Sequence, residues 1–399
     1  MPEAPLVKSV VIADALRTPM GKMNGVLSGV PATDLGAHTV RALLSRTKVD
    51  PKSVDLVIMG NVLTMGLGQN PARQVALRGG LPPTVSAFQV GMVCGSGMKA
   101  VHSATQAIKA GDADVVIAGG MESMSRAPHY LPLSRAGFRL GNFEAIDSMV
   151  HDGLWCSFEH LHMGCTGDHI AKKFGITRLE QDEFAIESHR KAVKAQDDGA
   201  LKSEIVPIEV DAGKGKKALI ESDEGPRRDT SLEKLQKMSP TFTKDGTITA
   251  GNASQISDAA SALLVMSEDA ASTLSIKPLA RVVDYDDSGV APMDVMIGPV
   301  QAMKDVLSRQ NIKAADLPLL EENEAFAAQT LAVLREVPIR LEVTNIHGGA
   351  VAMGHPIGMS GARILTTLAW AMRRRRVDQG MAAMCLGGGN GLATLLEAA

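Results

Sequence analysis

Two cysteines in this chain each stand between an apolar run and a cluster of glycines: Cys94 in "QVGMVCGSGMKAV" and Cys385 in "MAAMCLGGGNG". A strand ending at Val93, a Cys-Gly-Ser-Gly turn and a helix would put the Cys94 thiol at a helix N-terminus. The partial positive charge and free N–H groups there favour the thiolate. The glycines let another molecule approach the backbone, and the cysteine's own N–H becomes a donor to a developing oxyanion. The same segment also fits a buried, inert cysteine at a tight turn, the usual state of a thiol in apolar surroundings. Cys385 repeats the pattern, with N–H groups exposed at Gly387-Gly388-Gly389 beside a second thiol.

Two further side chains belong with these thiols. "GGAVAMGHPIGMSGAR" sets His355 between Gly354 and Pro356 ahead of a helix. There it is either a fixed base within reach of a thiol or a core histidine satisfied by backbone. "EENEAFAAQ" places Asn323 and Glu324 at a helix entry, where an asparagine is ordinarily an N-cap. Four such turns on a repeated fold would converge on one face, at the strand C-termini.

The elements that must carry these turns are legible as apolar runs. Residues 9–15, 54–60, 85–93, 113–120, 261–267 and 280–286 read as buried strands, and 34–46, 97–111, 178–199 and 298–310 as helices. Strands alternating with helices imply an α/β fold with a mostly parallel, covered sheet. Strand, glycine turn and helix recur in the last third in the same order. Residues 126–250, rich in His, Met, Gly and charge, read as an elaborated loop domain of the kind that covers a ligand crevice.

Composition narrows the function classes. The chain has 399 residues, 45% hydrophobic and 21% charged, with a net charge of −3, which excludes the basic surface of a nucleic-acid binder. The dense run Arg373 to Arg376 reads as the solvated end of a helix, with a phosphate-binding patch as the alternative. Four cysteines without a CxxC pair make neither a disulfide framework nor a recognised zinc site. No stretch is apolar enough to span a membrane, and the first residues show no signal pattern, so the expectation is a cytoplasmic protein that does not engage membranes.

The motifs "RTPMGKMNG", "GNVLTMGLGQNPARQVALRGGLP", "VCGSGMKAV", "GGMESMSRAPH", "HMG", "TITAGNAS", "NEAFAAQ", "GGAVAMGHPIGMSGAR" and "CLGGGNG" resemble those of the thiolases, in order and over nearly the whole chain. The resemblance implies an α/β thiolase-like fold: two repeated βαβαβαββ halves in a layered αβαβα core with an inserted loop domain. The halves would be 1–125, completed by 251–275, and 276–399, with 126–250 as the loop domain. It implies an acyltransferase that condenses two acetyl-CoA to acetoacetyl-CoA and CoA, and runs the reverse thiolysis, through an acyl-cysteine. Cys94 would be the nucleophile, His355 its activator and Cys385 the second acid/base. Asn323 would hold a water that forms an oxyanion hole with His355, and the N–H groups of Cys94 and Gly387 would form another. Leu154, His162, Met163, Arg227, Ala250, Ser254 and Phe326 would line the CoA site, with simple packing as the alternative for Leu154, Ala250 and Phe326. The family implies no cofactor or metal beyond CoA thioesters, and a homo-oligomer, dimer or tetramer.

The chain departs from the family's usual pattern at Gly91-Met92, Lys234, His347 and 292–300. These positions bear on chain length and CoA affinity. Four other readings compete. A broader 3-ketoacyl-CoA thiolase of fatty-acid β-oxidation would keep all the groups. A ketoacyl-synthase-like enzyme would not need Cys385. A redox pair of Cys94 and Cys385 would ordinarily show CxxC. An acyl-CoA-binding relative without activity would not need all four side chains.

Overall fold

The computed structural model describes residues 8–399; part of the N-terminal stretch read above for targeting signals lies outside them. The first half contributes strands β1 (Val10–Arg17), β2 (Leu56–Gly60), β3 (Ser86–Val90), β4 (Val115–Ser123) and β5 (Ser257–Ser267). Helices α1 (Ala32–Thr47), α2 (Pro71–Arg78) and α3 (Ser96–Ala110) connect the first four. Between β4 and β5 the chain makes its long excursion, which includes α4 (Met163–Lys173) and α5 (Arg178–Asp197). A Thr177/Glu180 capping box starts α5. The second half supplies β6 (Ala280–Gly289), α6 (Pro299–Arg309), β7 (Leu320–Glu322), α7 (Ala327–Glu336), α8 (Ser360–Arg375), β8 (Gln379–Leu386) and β9 (Asn390–Ala398).

The strands form one ten-stranded sheet in the order β7-β8-β9-β6-β1-β5-β4-β2-β3, with the two-residue strand Gly21–Lys22 paired to β5. The halves meet where β1 pairs with β6 over only two residues. From that seam each half reads alike. The order β1-β5-β4-β2-β3 is matched by β6-β9-β8-β7, and a parallel bridge from Leu320 to Thr344 stands where the fifth strand would be. The repeat extends to irregularities. β1 slips register between Ile12 and Asp14, and β6 between Val282 and Asp284. Each bulge aspartate accepts a hydrogen bond from the next N–H and pairs with an arginine near the end of the following helix, Arg46 and Arg309 respectively.

The sheet is mixed, which corrects the mostly parallel expectation. β2 runs parallel to β3 and β4, and β7 to β8, but the other pairings are antiparallel. The reason is the connection: β8 and β9 are joined by the turn Gly387-Gly388-Gly389, with φ of +85° and +89° at the last two, and a tight turn can join only antiparallel neighbours. The long excursion occupies the corresponding place between β4 and β5.

Alternating strand residues face different layers. Val10 and Ile12 pack with α3 and α8, whereas Val11 and Ala13 pack with α1 and α2. Ala382 and Met384 of β8 share the α3/α8 core, and Met381 and Ala383 face α6. The two inner helices therefore lie between the halves. They cross backbone to backbone: a Cβ at Gly361 would stand 2.4 Å from the N of Met98, and one at Gly97 2.8 Å from the N of Ala362. Only glycine permits that approach. Among the described residues no helix is long and apolar enough to cross a membrane.

Candidate active site

The crossing at Gly97 and Gly361 joins the N-terminal ends of α3 and α8, and the residues just ahead of those helices are Cys94 and His355. The strand before Cys94 stops at Val90 rather than Val93, because the chain turns sharply there. Val93 has φ +43°, an unfavourable conformation for a β-branched residue, and such strain is held only where surroundings enforce it. Ser96, first residue of α3, enforces it by accepting from Met92 N–H (2.8 Å) and donating to the Val93 carbonyl (2.7 Å).

Ser360, first residue of α8, locks the histidine turn in the same way. Its hydroxyl donates to the Pro356 carbonyl (3.1 Å) and lies 2.6 Å from His355 Nδ1. With that hydroxyl proton committed, Nδ1 must be the donor, so Nε2 carries the free lone pair. Nε2 is buried and has no partner among the described residues. Burial, then the Arg363 charge, lowers the His355 pKa to about 3, so the imidazole is neutral at ordinary pH.

Cys94 lines a cavity of about 500 Å³. Burial pushes its thiol up to about 11, although the N–H groups of Gly387 and of Cys94 itself face the sulfur and pull it down. The thiolate expected from the helix N-terminus is therefore corrected: desolvation outweighs the dipole and the N–H groups. Cys385, at the end of β8, is raised well above the usual thiol range by burial, then by Cys94 and by Glu322.

Eleven of the twelve residues singled out in the sequence line this cavity: Cys94, His355, Cys385, Gly387, Leu154, His162, Met163, Arg227, Ala250, Ser254 and Phe326. Asn323 does not line it. It follows β7 and donates its N–H to Ala383 of β8 (3.0 Å). The helix begins four residues later at Ala327 with Phe326 as N-cap, so the N-cap alternative for Asn323 is excluded. Both amide atoms of Asn323 are buried without a partner among the described residues, a cost of about 1–3 kcal/mol unless a ligand or water meets them.

The wall is apolar and rich in methionine, with Met23, Met124, Met163 and Met296 all on it. His162 caps α4 through Gly164 N–H (3.0 Å) and stacks on Phe242, which meets Phe326 edge-on. Burial lowers the His162 pKa, so this imidazole too is held neutral. Phe242 escaped sequence reasoning, although aromatics are only 3% of the chain and their scarcity was a usable signal. Lys22 and Gln255 were missed as well, both lying inside or beside quoted motifs. Lys22 and Arg227 give the cavity two cations, which suit phosphate groups.

The departures divide. Val295 and Met296 of the 292–300 segment form part of the wall. Gly91, Met92, Lys234 and His347 do not line the cavity. Lys234 is exposed and paired with Asp229 (2.7 Å), and His347 is buried near Arg374. Arg373 to Arg376 end α8 exposed to solvent.

Two family models match the chain: Thiolase, N-terminal domain, over residues 10–269, and Thiolase, C-terminal domain, over 276–398. The chain is 48% identical to an acetyl-CoA acetyltransferase of Pseudomonas aeruginosa over 98% of its length and 99% of that protein's. It is 48% identical to a probable acetyl-CoA acyltransferase of Staphylococcus aureus over 97% and 98%. A crystal structure of the Bacillus anthracis acetyl-CoA acetyltransferase superposes with a TM-score of 0.97 at 40% identity, covering 99% of this chain and all of that one.

Proposed function

The chain belongs to the thiolase family, and from that premise we propose that it is an acetyl-CoA C-acetyltransferase, joining two acetyl-CoA into acetoacetyl-CoA and CoA and running the reverse thiolysis. The observation that carries the reading is the meeting of two thiols, a neutral imidazole and the Gly387 N–H in the lining of one apolar cavity.

Because the resting group on Cys94 is a thiol, attack needs a base. His355 Nε2 takes the thiol proton as sulfur adds to the acyl carbonyl carbon, and the Cys385 thiol gives its own proton to CoA as the C–S bond to CoA breaks, leaving Cys385 as thiolate and His355 as imidazolium. The N–H groups of Cys94 and Gly387 stabilise the tetrahedral oxyanion; losing one such donor costs about 3 kcal/mol. In the second half, Cys385 as thiolate takes an α-proton from a second acetyl-CoA. The resulting enolate oxygen accepts from the protonated His355 Nε2–H and from a water held by Asn323, and its carbon attacks acetyl-Cys94. The new C–C bond forms, the C–S bond to Cys94 breaks, and the His355 imidazolium returns its proton to the Cys94 sulfur, which restores both thiols. Two thiols suit this sequence because one holds the acyl group while the other moves a proton.

Leu154, His162, Met163, Arg227, Ala250, Ser254 and Phe326 bind the CoA thioester in this reading, with Lys22 and Arg227 towards its phosphates. The chemistry calls on no metal or organic cofactor beyond CoA thioesters. The four free thiols suit a reducing cytoplasm, and the protein acts as a homo-oligomer, dimer or tetramer. A second reading, a 3-ketoacyl-CoA thiolase of broader chain length, is favoured by the acyltransferase name of the Staphylococcus aureus relative.

Intact-protein and peptide mass analysis after mixing with acetyl-CoA tests this. Expected is an acetyl group on Cys94 in the wild type and in Cys385→Ala, with no acetoacetyl-CoA formed by Cys385→Ala and no adduct on Cys94→Ala. An adduct seen only with longer 3-ketoacyl-CoA selects the second reading. No adduct with any acyl-CoA leaves an acyl-CoA-binding protein.

A further inference from the structure

Glu122, on β4, is fully buried, and the chemistry above does not use it. Its carboxylate accepts four hydrogen bonds. Oε1 takes Asn61 Nδ2 (2.7 Å) and Leu63 N–H (3.2 Å); Oε2 takes Val62 N–H (3.0 Å) and Gly358 N–H (2.9 Å). No cation is among these partners. Burial raises the carboxyl to about 7, against the pull of the three main-chain N–H groups, with the nearby Asp258 charge adding to the rise. Placing an acid where burial opposes its charge is costly, and a well-packed apolar residue would serve packing alone better.

What the carboxylate joins explains its place. Asn61, Val62 and Leu63 leave β2 in the first half, and Gly358 belongs to the turn after His355 in the second. That turn is rigid within itself, locked by Ser360 and Pro356. It is pressed against the first half so closely that a Cβ at Gly120 would stand 2.3 Å from the Gly358 carbonyl oxygen, and one at Gly358 2.6 Å from Glu122 Oε2. Cys94 belongs to the first half and His355 to the second, so their separation depends on how this turn seats. The main-chain bond from His355 N to Gln255 O (2.8 Å) holds its start, and Glu122 holds its middle.

We propose that Glu122 is a positioning residue, pinning the turn that carries His355 to the half of the fold that carries Cys94, so that Nε2 meets the thiol at reacting distance. The proposal rests on the acyl-transfer reading for its consequence in turnover but not for its geometry.

Glu122→Asp keeps the charge and draws the carboxylate back by one carbon, so that it no longer spans both segments. Acetoacetyl-CoA thiolysis is expected to lose about 30-fold or more in kcat, with KM for CoA within about threefold and the thermal midpoint within about 5 °C. In a His355→Ala background the same change should cost less than about threefold, because the group it positions is gone. Alkylation of Cys94 by iodoacetamide at pH 8 should slow about tenfold in Glu122→Asp and in His355→Ala, and no further in the double variant. Near-wild-type kcat in folded Glu122→Asp, or an undiminished cost in the His355→Ala background, would overturn the proposal. Should that variant not fold, Glu122→Gln is expected to show the same split, and full activity there overturns it equally. Failure of both to fold would make Glu122 a folding residue and end the proposal. A wild type without thiolysis would end the acyl-transfer reading instead, and the alkylation rates, which need no acyl-CoA, would still decide the role of Glu122.

Discussion

The Cys94 thiol sits at about 11 because burial outweighs the N–H groups of Gly387 and Cys94 that face it, while His355 is held neutral by burial and by Arg363. In the proposed mechanism, proton transfer between them thus begins from neutral thiol and neutral imidazole, with Nε2 as the accepting atom. A preformed thiolate–imidazolium pair would titrate near neutrality; this one does not. Alkylation of free enzyme by iodoacetamide is expected to rise through roughly pH 9–11, with no inflection between about pH 5 and 7. A rate curve with a plateau already reached at pH 7 would show that Cys94 rests as a thiolate. The buried, unpartnered amide of Asn323 belongs to the same economy of charge, since an enolate oxygen needs donors that are already in place.

Elements place these residues through two helix starts that repeat one device. Ser96 and Ser360 each open an inner helix and each fix the turn before it, holding strained Val93 in one case and the His355 tautomer in the other. The helices themselves are set by the glycine crossing, where a Cβ at Gly361 would lie 2.4 Å from Met98 N. The clashing atom is backbone, so the helices must part. Gly361→Ala is expected to destabilise by about 1–3 kcal/mol, read as a lowered denaturation midpoint. It should also reduce kcat about tenfold or more in the surviving folded fraction. A folded variant with unchanged kcat would show that the crossing sets stability alone.

The whole molecule buries ionisable groups of both kinds, and their shifts shape its stability. Arg17 of β1 donates to Glu204 (2.6 Å) and to both oxygens of Asp223 (2.6 and 2.9 Å), fastening the long excursion to the first half with charges sealed from water. Removing one partner of such a network costs about 3–5 kcal/mol. Glu122, Glu321 and Glu322 are raised by burial to about 7, 8 and 8, whereas His189, His347 and His355 are lowered by burial to about 4, 3 and 3. The glutamates hold protons in the native state that the unfolded chain has lost, so their contribution falls as pH rises from about 4.5 to 8. The histidines are neutral in the native state and charge in the unfolded one, so theirs falls as pH drops from about 6.5 towards 3. The two effects offset each other between. The thermal midpoint is expected to be highest near pH 5–6.5 and to decline on both sides; a midpoint still rising from pH 7 to 8 would contradict the glutamate shifts.

The fold class and most of the cavity were legible in residues 9–399. Glycine next to Cys94, His355 and Cys385 marks turns that only a few backbone conformations allow, and apolar period marks the strands that deliver them. The Thr177/Glu180 cap and the end of α3 at Gly111 are local events written in local residues. Three things were not local. The antiparallel pairing of β8 with β9 and of β4 with β5 depends on which strands become neighbours, which the apolar runs do not record. The entry of Phe242, Lys22 and Gln255 into the cavity depends on loops meeting across the fold. The protonation of Cys94 depends on how much water the assembled walls exclude. A sequence states which groups are present and how each turn bends; desolvation and approach between distant segments exist only once the halves have packed, and they decide that Cys94 rests as a thiol.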